Sequence, residues 1–386
     1  MNTILMVSST RADYGLLYPV IREFRNTEND GFRLSLAVTG THLSEAYGHT
    51  IDEIKKDGVR IDYEIVTPVG SNSEADIANN FSETIRQFTG LLTEERPDAV
   101  MVLGDRYEIL AAAIASLICN VPIFHISGGD VSEGAIDDSI RHSITKMSVV
   151  HFATNEQARR RIIQMGEEPG RVYNVGSTSI DNILNEELLS KEDVLRGLGL
   201  GDIDYAVCTY HPQTIGSEDA VQEIRVLVSV LVECGVQTII TKSNADLGGS
   251  AINDYLDKAA KEYTCIHVYP SLGRLRYLSA VKHSIFVIGN SSSGVVEAPA
   301  LKVPVVDIGD RQKGRLCSES VVHVPMEKEA LRNAIQYAMG DDAREKAKNA
   351  SNPYGDGHAA KQIVAHSLEY LKKGVPVQKH FYEVPK

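Results

Sequence analysis

Short apolar, β-branched runs alternate with longer amphipathic stretches from one end of the chain to the other. Residues 3–8 (TILMVS) predict a buried first strand, followed by a polar loop and an amphipathic helix over about 16–25. Strand 34–39, a short helix over 51–57 and a long one over 78–95 come next. AVMVL at 99–103 predicts a strand that ends in Gly104-Asp105; an Ala-rich helix (109–119) and the strand PIFHI (122–126) follow. Unbroken apolar strands separated by helices are what a parallel sheet covered on both faces requires.

The alternation restarts after 172–175. Strands are expected at 205–209, 237–241, 265–269, 285–288 and 303–308, with the clearest helices over 221–233 and 251–262. The fold class is therefore α/β, with two Rossmann-like parallel-sheet domains and a cleft between them. The boundary falls near 170–177, giving residues 1–172 and 173–358. The Pro/Gly-rich break NPYGDG precedes a tail helix within 359–386, expected to join the first domain.

Composition narrows the partners. The formal charge is −13 and tryptophan is absent, so a nucleic-acid partner is not expected. A negative protein that binds phosphates must concentrate arginine and histidine locally. The five cysteines form no CxxC pair, which suggests neither a disulfide framework nor a zinc site. The first residues carry no basic leader, and no apolar run approaches the roughly 20 residues of a membrane span. A cytoplasmic protein with no membrane partner is expected.

Ligands of open α/β sheets bind at the carboxyl ends of the strands, so chemistry is sought in the segments just after them. The strongest is Ile288-Gly289-Asn290-Ser291-Ser292-Ser293-Gly294, where a strand runs into a Gly/Ser turn and a helix begins. One serine would be a helix cap, but three between glycines exceed what capping needs and suit an anion. Glu297 then fits either a ribose diol or the helix dipole. Arg311, after another strand, offers a bidentate phosphate contact. The loop Ser8-Ser9-Thr10-Arg11 is not GxGxxG, which argues against a dinucleotide. His211 leaves a further strand.

Three strand ends carry acidic groups. These are Asp105 beside Arg106, His125 with Ser127 and Asp130, and Asp137 in IDDSIRH. Taken singly, each carboxylate suits a salt-bridged loop. Together they suggest a base and an acid whose pKa values are split by repulsion and by arginine.

The segments TRADYG, TGTHLSEAYGHTI, GDRYE, HISGG, IDDSIRHSITKMS, IGNSSSG and IGDRQKGR, spread nearly end to end, resemble the hydrolysing UDP-N-acetylglucosamine 2-epimerases of bacterial sialic acid synthesis. The resemblance implies a GT-B-like fold, elimination of UDP with loss of the C2 proton, and hydration of the resulting 2-acetamidoglucal to N-acetylmannosamine. It implies no cofactor and no metal. Arg11, Arg106, His211, Asn244, Ser291, Ser292, Glu297 and Arg311 would hold the UDP-sugar's nucleotide and diphosphate. Asp105 and Asp137 would be the catalytic carboxylates, and His42 and Ser127 would face the sugar. A homodimer or homotetramer is implied.

One position departs from the pattern: many members have Glu where this chain has Ser127. Either Asp130, Glu133 or His125 replaces it, or Asp105, Asp137 and water carry the step. Some relatives act on UDP-2,4-diacetamido-2,4,6-trideoxyglucose in legionaminic acid synthesis, so that sugar is the alternative substrate. A GT-B glycosyltransferase is the alternative of another class, and a non-catalytic nucleotide-sugar sensor a further one. Phosphate ligands of one domain and carboxylates of the other would meet across a hinge near 170–177.

Overall fold

The structure, a computed structural model, describes residues 2–27, 31–44, 49–67, 74–131, 136–211, 220–242 and 249–385. The chain forms two compact units, Met1–Asn182 with Tyr354–Lys386, and Ile183–Pro353.

The first unit is built on seven parallel strands: β1 (Asn2–Ser8), β2 (Phe32–Thr39), β3 (Tyr63–Ile65), β4 (Ala99–Leu103), β5 (Ile123–Ile126), β6 (Val150–Ala153) and β7 (Val172–Asn174). Their order across the sheet is β3-β2-β1-β4-β5-β6-β7. β1 pairs with β2 from Asn2↔Phe32 to Ser8↔Val38 and with β4 from Ile4↔Ala99. The order turns back at the β1/β4 pair, so the crevice of a doubly wound sheet opens where Ser8 and Leu103 end. One face of the sheet packs on the helices Arg11–Arg25 and Ala359–Lys373, through residues such as Leu17, Ile21, Ile363 and Val364. The other face packs on Phe88, Leu92, Ile109, Ala112 and Ile144 from the helices Glu74–Glu95, Tyr107–Ile118 and Ile136–Met147.

The second unit holds six parallel strands: β8 (Ala206–Thr209), β9 (Thr238–Thr241), β10 (Ile266–Tyr269), β11 (Val287–Gly289), β12 (Val305–Ile308) and β13 (Val321–Val324). Their order is β10-β9-β8-β11-β12-β13, and the turning pair is β8/β11. No described helix is long and apolar enough to cross a membrane.

Three strands depart from the sequence expectation. β3 and β13 are short edge strands, only partly buried, and lack the continuous apolar run that signals a core strand. β6 is fully buried, but His151 interrupts its apolar pattern. β7 hydrogen-bonds to β6 as the edge of the first sheet, and the first unit runs on to Asn182. The tail helix ends at Lys373, where Gly374 takes φ 82°, and the chain continues without regular secondary structure.

The tail helix lacks a side-chain cap from His358. Asp181 supplies it from the other end of the first unit, accepting the amides of Ala359 at 3.1 Å and Ala360 at 2.8 Å. Asp181→Ala is expected to cost about 1–2 kcal/mol, the worth of a strong N-cap, measured by urea unfolding. A change below a few tenths would show that this anchor is idle.

Candidate functional site

In the first unit, Gly104 follows the last residue of β4, and its φ of 78° turns the chain sharply and presents Asp105. Arg141, from the Ile136–Met147 helix, gives one nitrogen of its guanidinium to the Asp105 carboxylate. Its other terminal nitrogen donates to the Asp130 carbonyl at 2.8 Å and to Asp138 at 3.3 Å. Arg141 is buried, so this fork replaces its hydration and ties the β4 exit, the β5 exit and the helix together. Asp137 begins the same helix. Partial burial and the nearby Asp105 charge push its carboxyl above the ordinary range, against the pull of Arg106 and Arg141. Two carboxylates thus share a field, one gripped by an arginine and one whose pKa is raised.

The remaining β5-exit residues support this pair. His125 is fully buried. Its Nε2 lies 2.8 Å from the Gly104 carbonyl, so it donates there, and Nδ1 lies 3.2 Å from the Thr145 hydroxyl. Burial pushes its pKa down to about 3, so the ring is a neutral prop under the Asp105 turn rather than a group facing solvent. Ser127 adopts φ 63° with its amide bonded to Phe152 O, a left-handed conformation that costs a serine roughly 1 kcal/mol. A Cβ on Gly129 would lie 2.4 Å from the Ala158 carbonyl, so only glycine lets the chain pass the Glu156–Gln164 helix. The Asp130 carboxylate accepts from Thr154 at 2.9 Å and Asn155 at 3.2 Å. It anchors the loop to β6 and differs from Asp137 in being hydrogen-bonded on both oxygens. Glu133 lies outside the described residues.

The β1 and β2 exits form a second layer. Asp13 accepts Ser8 and Ser9 hydroxyls at 2.6 and 2.7 Å and the Ser9 amide at 2.8 Å. Burial would raise its pKa, but these bonds and His42 outweigh it and hold it below the ordinary value. His42 is wholly buried, with Ser8 at 3.0 Å on Nε2 and Thr50 at 2.8 Å on Nδ1. It therefore shapes this loop from beneath. Arg106 forks onto buried Glu108 at 3.2 and 3.4 Å, while Arg11 is exposed with Glu53 3.7 Å away. A Cβ on Gly40 would come within 2.9 Å of Ser9 O and 3.2 Å of Glu108, which shows how closely these exits approach.

In the second unit, Asn290 is the hub. Its side chain takes the His211 amide and gives to the His211 carbonyl, both at 2.8 Å. Its carbonyl accepts Arg311 at 3.1 Å and Gln312 at 2.8 Å. The exits of β8, β11 and β12 are thereby locked to one residue. Gly289 makes this possible: at φ 141° a Cβ would fall 2.0 Å from Thr209 O. The helix Ser292–Val296 has only five residues, so its dipole is small. Ser291 caps it, Ser292 is exposed, and Ser293 donates to Glu297 at 2.6 Å. Burial pushes the Glu297 pKa up, against Ser293 and Arg274. Asn244 lies outside the described residues.

Arg141 and Asn290 were not singled out from the sequence, although both stand in the quoted motifs. Their fork and amide pair join strand exits far apart in sequence, which local pattern does not reveal. Among the described residues no group of three His, Cys, Asp or Glu could hold a metal ion, and the five cysteines are unpaired.

This architecture is the GT-B-like α/β class. A solved UDP-GlcNAc 2-epimerase from Neisseria meningitidis bound to UDP-GlcNAc superposes with TM-score 0.79 at 20% identity, covering 95% of this chain and all of that one, a likeness of fold. Residues 25–368 match the family model described as UDP-N-acetylglucosamine 2-epimerase, and the chain belongs to that family. Polysialic acid biosynthesis protein P7 of Escherichia coli is 36% identical over 387 residues, spanning 100% of this chain and 98% of its own. A GDP/UDP-N,N'-diacetylbacillosamine 2-epimerase (hydrolyzing) of Campylobacter jejuni is 38% identical over 322 residues, 83% of each chain. A UDP-N-acetylglucosamine 2-epimerase of Neisseria meningitidis is 34% identical over 338 residues, 88% of each. The protein is an enzyme, of the hydrolysing UDP-sugar 2-epimerase class.

Asp105→Asn removes the like charge beside Asp137, so the Asp137 carboxyl should titrate at lower pH, followed by carboxyl carbon NMR. An unchanged or higher midpoint would contradict the coupling.

Proposed function

We propose that this enzyme is a hydrolysing UDP-N-acetylglucosamine 2-epimerase that converts UDP-GlcNAc and water to N-acetylmannosamine and UDP. The observation that carries the reading is the carboxylate pair Asp105 and Asp137 beyond the β4 and β5 exits of the first sheet, with Asp105 gripped by Arg141 and the Asp137 pKa raised by burial and the Asp105 charge. Removing the C2 proton needs a base, and returning a proton to C2 needs an acid. Two neighbouring carboxyls, one of them with a raised pKa, can divide these tasks.

The pair takes the C2 proton as the C1–O bond breaks, and the electron pair leaves with UDP, giving a 2-acetamidoglucal. Water then adds its oxygen to C1 while giving a proton to a carboxylate of the pair, and the pair returns a proton to C2 in the manno configuration. Arg106 and Arg11 in the first unit, and His211, Ser292, Glu297 and Arg311 in the second, are the proposed nucleotide and diphosphate contacts. Arginines beside a departing diphosphate stabilise the charge that develops on it. Ser127, at the β5 exit, is proposed to face the sugar; His125, His42 and Asp130 shape the loops. Relatedness to the Escherichia coli P7 protein over the full length supports a product destined for sialic acid synthesis.

The identity with the Campylobacter protein favours one second reading, the same reaction on UDP-2,4-diacetamido-2,4,6-trideoxyglucose. Turnover of each UDP-sugar in deuterated water, followed by NMR, separates the two. Deuterium at C2 of free N-acetylmannosamine is expected from UDP-GlcNAc. No turnover of it, with labelled product from the diacetamido sugar alone, would transfer the proposal to that substrate. Asp105→Asn and Asp137→Asn should each lose about 10²–10⁴ in kcat while binding UDP within a few-fold. Full activity in both variants would refute the catalytic assignment.

A further inference from the structure

After Gly374 the chain runs on without regular secondary structure over 375–385 and packs on the first unit at the far end of the Ile136–Met147 helix. Lys379 donates to the Ser148 carbonyl at 2.8 Å and to Glu167 at 2.7 Å. Glu167 is buried and also receives Lys146, on the last turn of that helix, at 2.7 Å and His151 of β6 at 3.2 Å. Burial alone would raise the Glu167 pKa, but these three donors hold it at about 2. Two residues on, the Phe381 ring covers Gly166, where a Cβ would come within 2.3 Å of the ring, and Lys146 stands 4.7 Å above its centre. The Tyr382 amide bonds to Gly166 O at 2.9 Å.

Two paths lead from this cluster to the carboxylate pair. Along the helix, Lys146 is nine residues from Asp137, about 14 Å at 1.5 Å per residue, with Arg141 and Asp138 between them. Through the sheet, His151 pairs in register with His125, whose ring holds the Gly104 carbonyl just before Asp105. A shift at the Lys146 end moves the rigid helix and its charged start together, because a helix does not compress along its axis.

We propose that this C-terminal segment is a clamp for the proton-transfer site, with Lys379, Glu167 and Phe381 as positioning residues that fix the Ile136–Met147 helix from its far end. The proposal rests on the assignment of Asp105 and Asp137 made above. None of the three touches substrate in it; they act through Lys146, His151 and the helix. Lys379→Met leaves Glu167 paired with Lys146 and His151, so that variant keeps its buried charge compensated.

The test uses the full-length chain. Lys379→Met and Phe381→Ala are compared with wild type by hydrogen exchange over 136–147 and by steady-state release of UDP. Exchange in that helix should quicken about tenfold, with the second unit's strands unaffected. The turnover number should fall several-fold with KM within about twofold, because a small misplacement of catalytic groups costs rate more than binding. Lys379→Arg should restore both. Unchanged exchange over 136–147 overturns the proposal, as does wild-type kcat in a variant whose helix exchanges faster. Faster exchange beside a wild-type chain that turns over neither UDP-sugar would keep the clamp and sink the epimerase reading.

Discussion

Arg141 reaches in three directions at once, to the Asp105 carboxylate, to Asp138 on its own helix and to the backbone carbonyl of Asp130. Burying a guanidinium is costly unless every direction it points in holds an acceptor, so the three partners must keep their places for the arginine to stay inside. That requirement fixes the relation between the β4 exit, the β5 exit and the helix that begins with Asp137. The glycines at 128 and 129, the left-handed Ser127 and the neutral His125 all serve the same geometry from the β5 side. Stability and chemistry meet there. The cation that makes the loops rigid also grips one carboxylate of the pair.

The second unit reaches a similar end with a neutral group. Asn290 uses a complete side-chain amide and its own carbonyl to bind three strand exits, where the first unit uses a charge. Its side-chain amide pairs the His211 backbone N–H and C=O, and its own carbonyl takes the Arg311 and Gln312 side chains. The Asn290 hub lies at β8/β11, the pair where the second sheet's order turns back and a doubly wound sheet leaves space for a ligand, while Arg141 ties β4, one strand of the first sheet's turning pair, to its outer neighbour β5.

Much of this was legible in the sequence because strand burial is written as unbroken apolar runs. AVMVL and TILMVS predict their strands, and the segments after them hold Asp105 and Arg11. The resemblance drawn from TRADYG, GDRYE, IDDSIRH and IGNSSSG agreed with the family match. Edge strands such as β13, with one residue in four exposed and none fully buried, carry no such signal. The individual roles of charged residues were harder to see. Asp130 and Asp137 look alike in sequence; only the Thr154 and Asn155 bonds on one and the Asp105 charge beside the other tell them apart. His42 and His125 likewise stand after or within strands as a ligand would, yet both are wholly buried with each ring nitrogen near a polar partner. Three successive serines also divided their work, since one caps, one bonds Glu297 and one is exposed.

The dependence of the carboxylate pair on a planar, forked cation is tested most directly with Arg141→Lys. A lysine keeps the charge but cannot reach Asp105, Asp138 and the Asp130 carbonyl together. The variant should therefore bind UDP as wild type does and melt within a few degrees of it, while its turnover number falls by roughly 100-fold, the scale of a 1 Å misplacement of a reacting group. An Arg141→Lys enzyme that releases UDP from its sugar substrate at the wild-type rate would contradict the account.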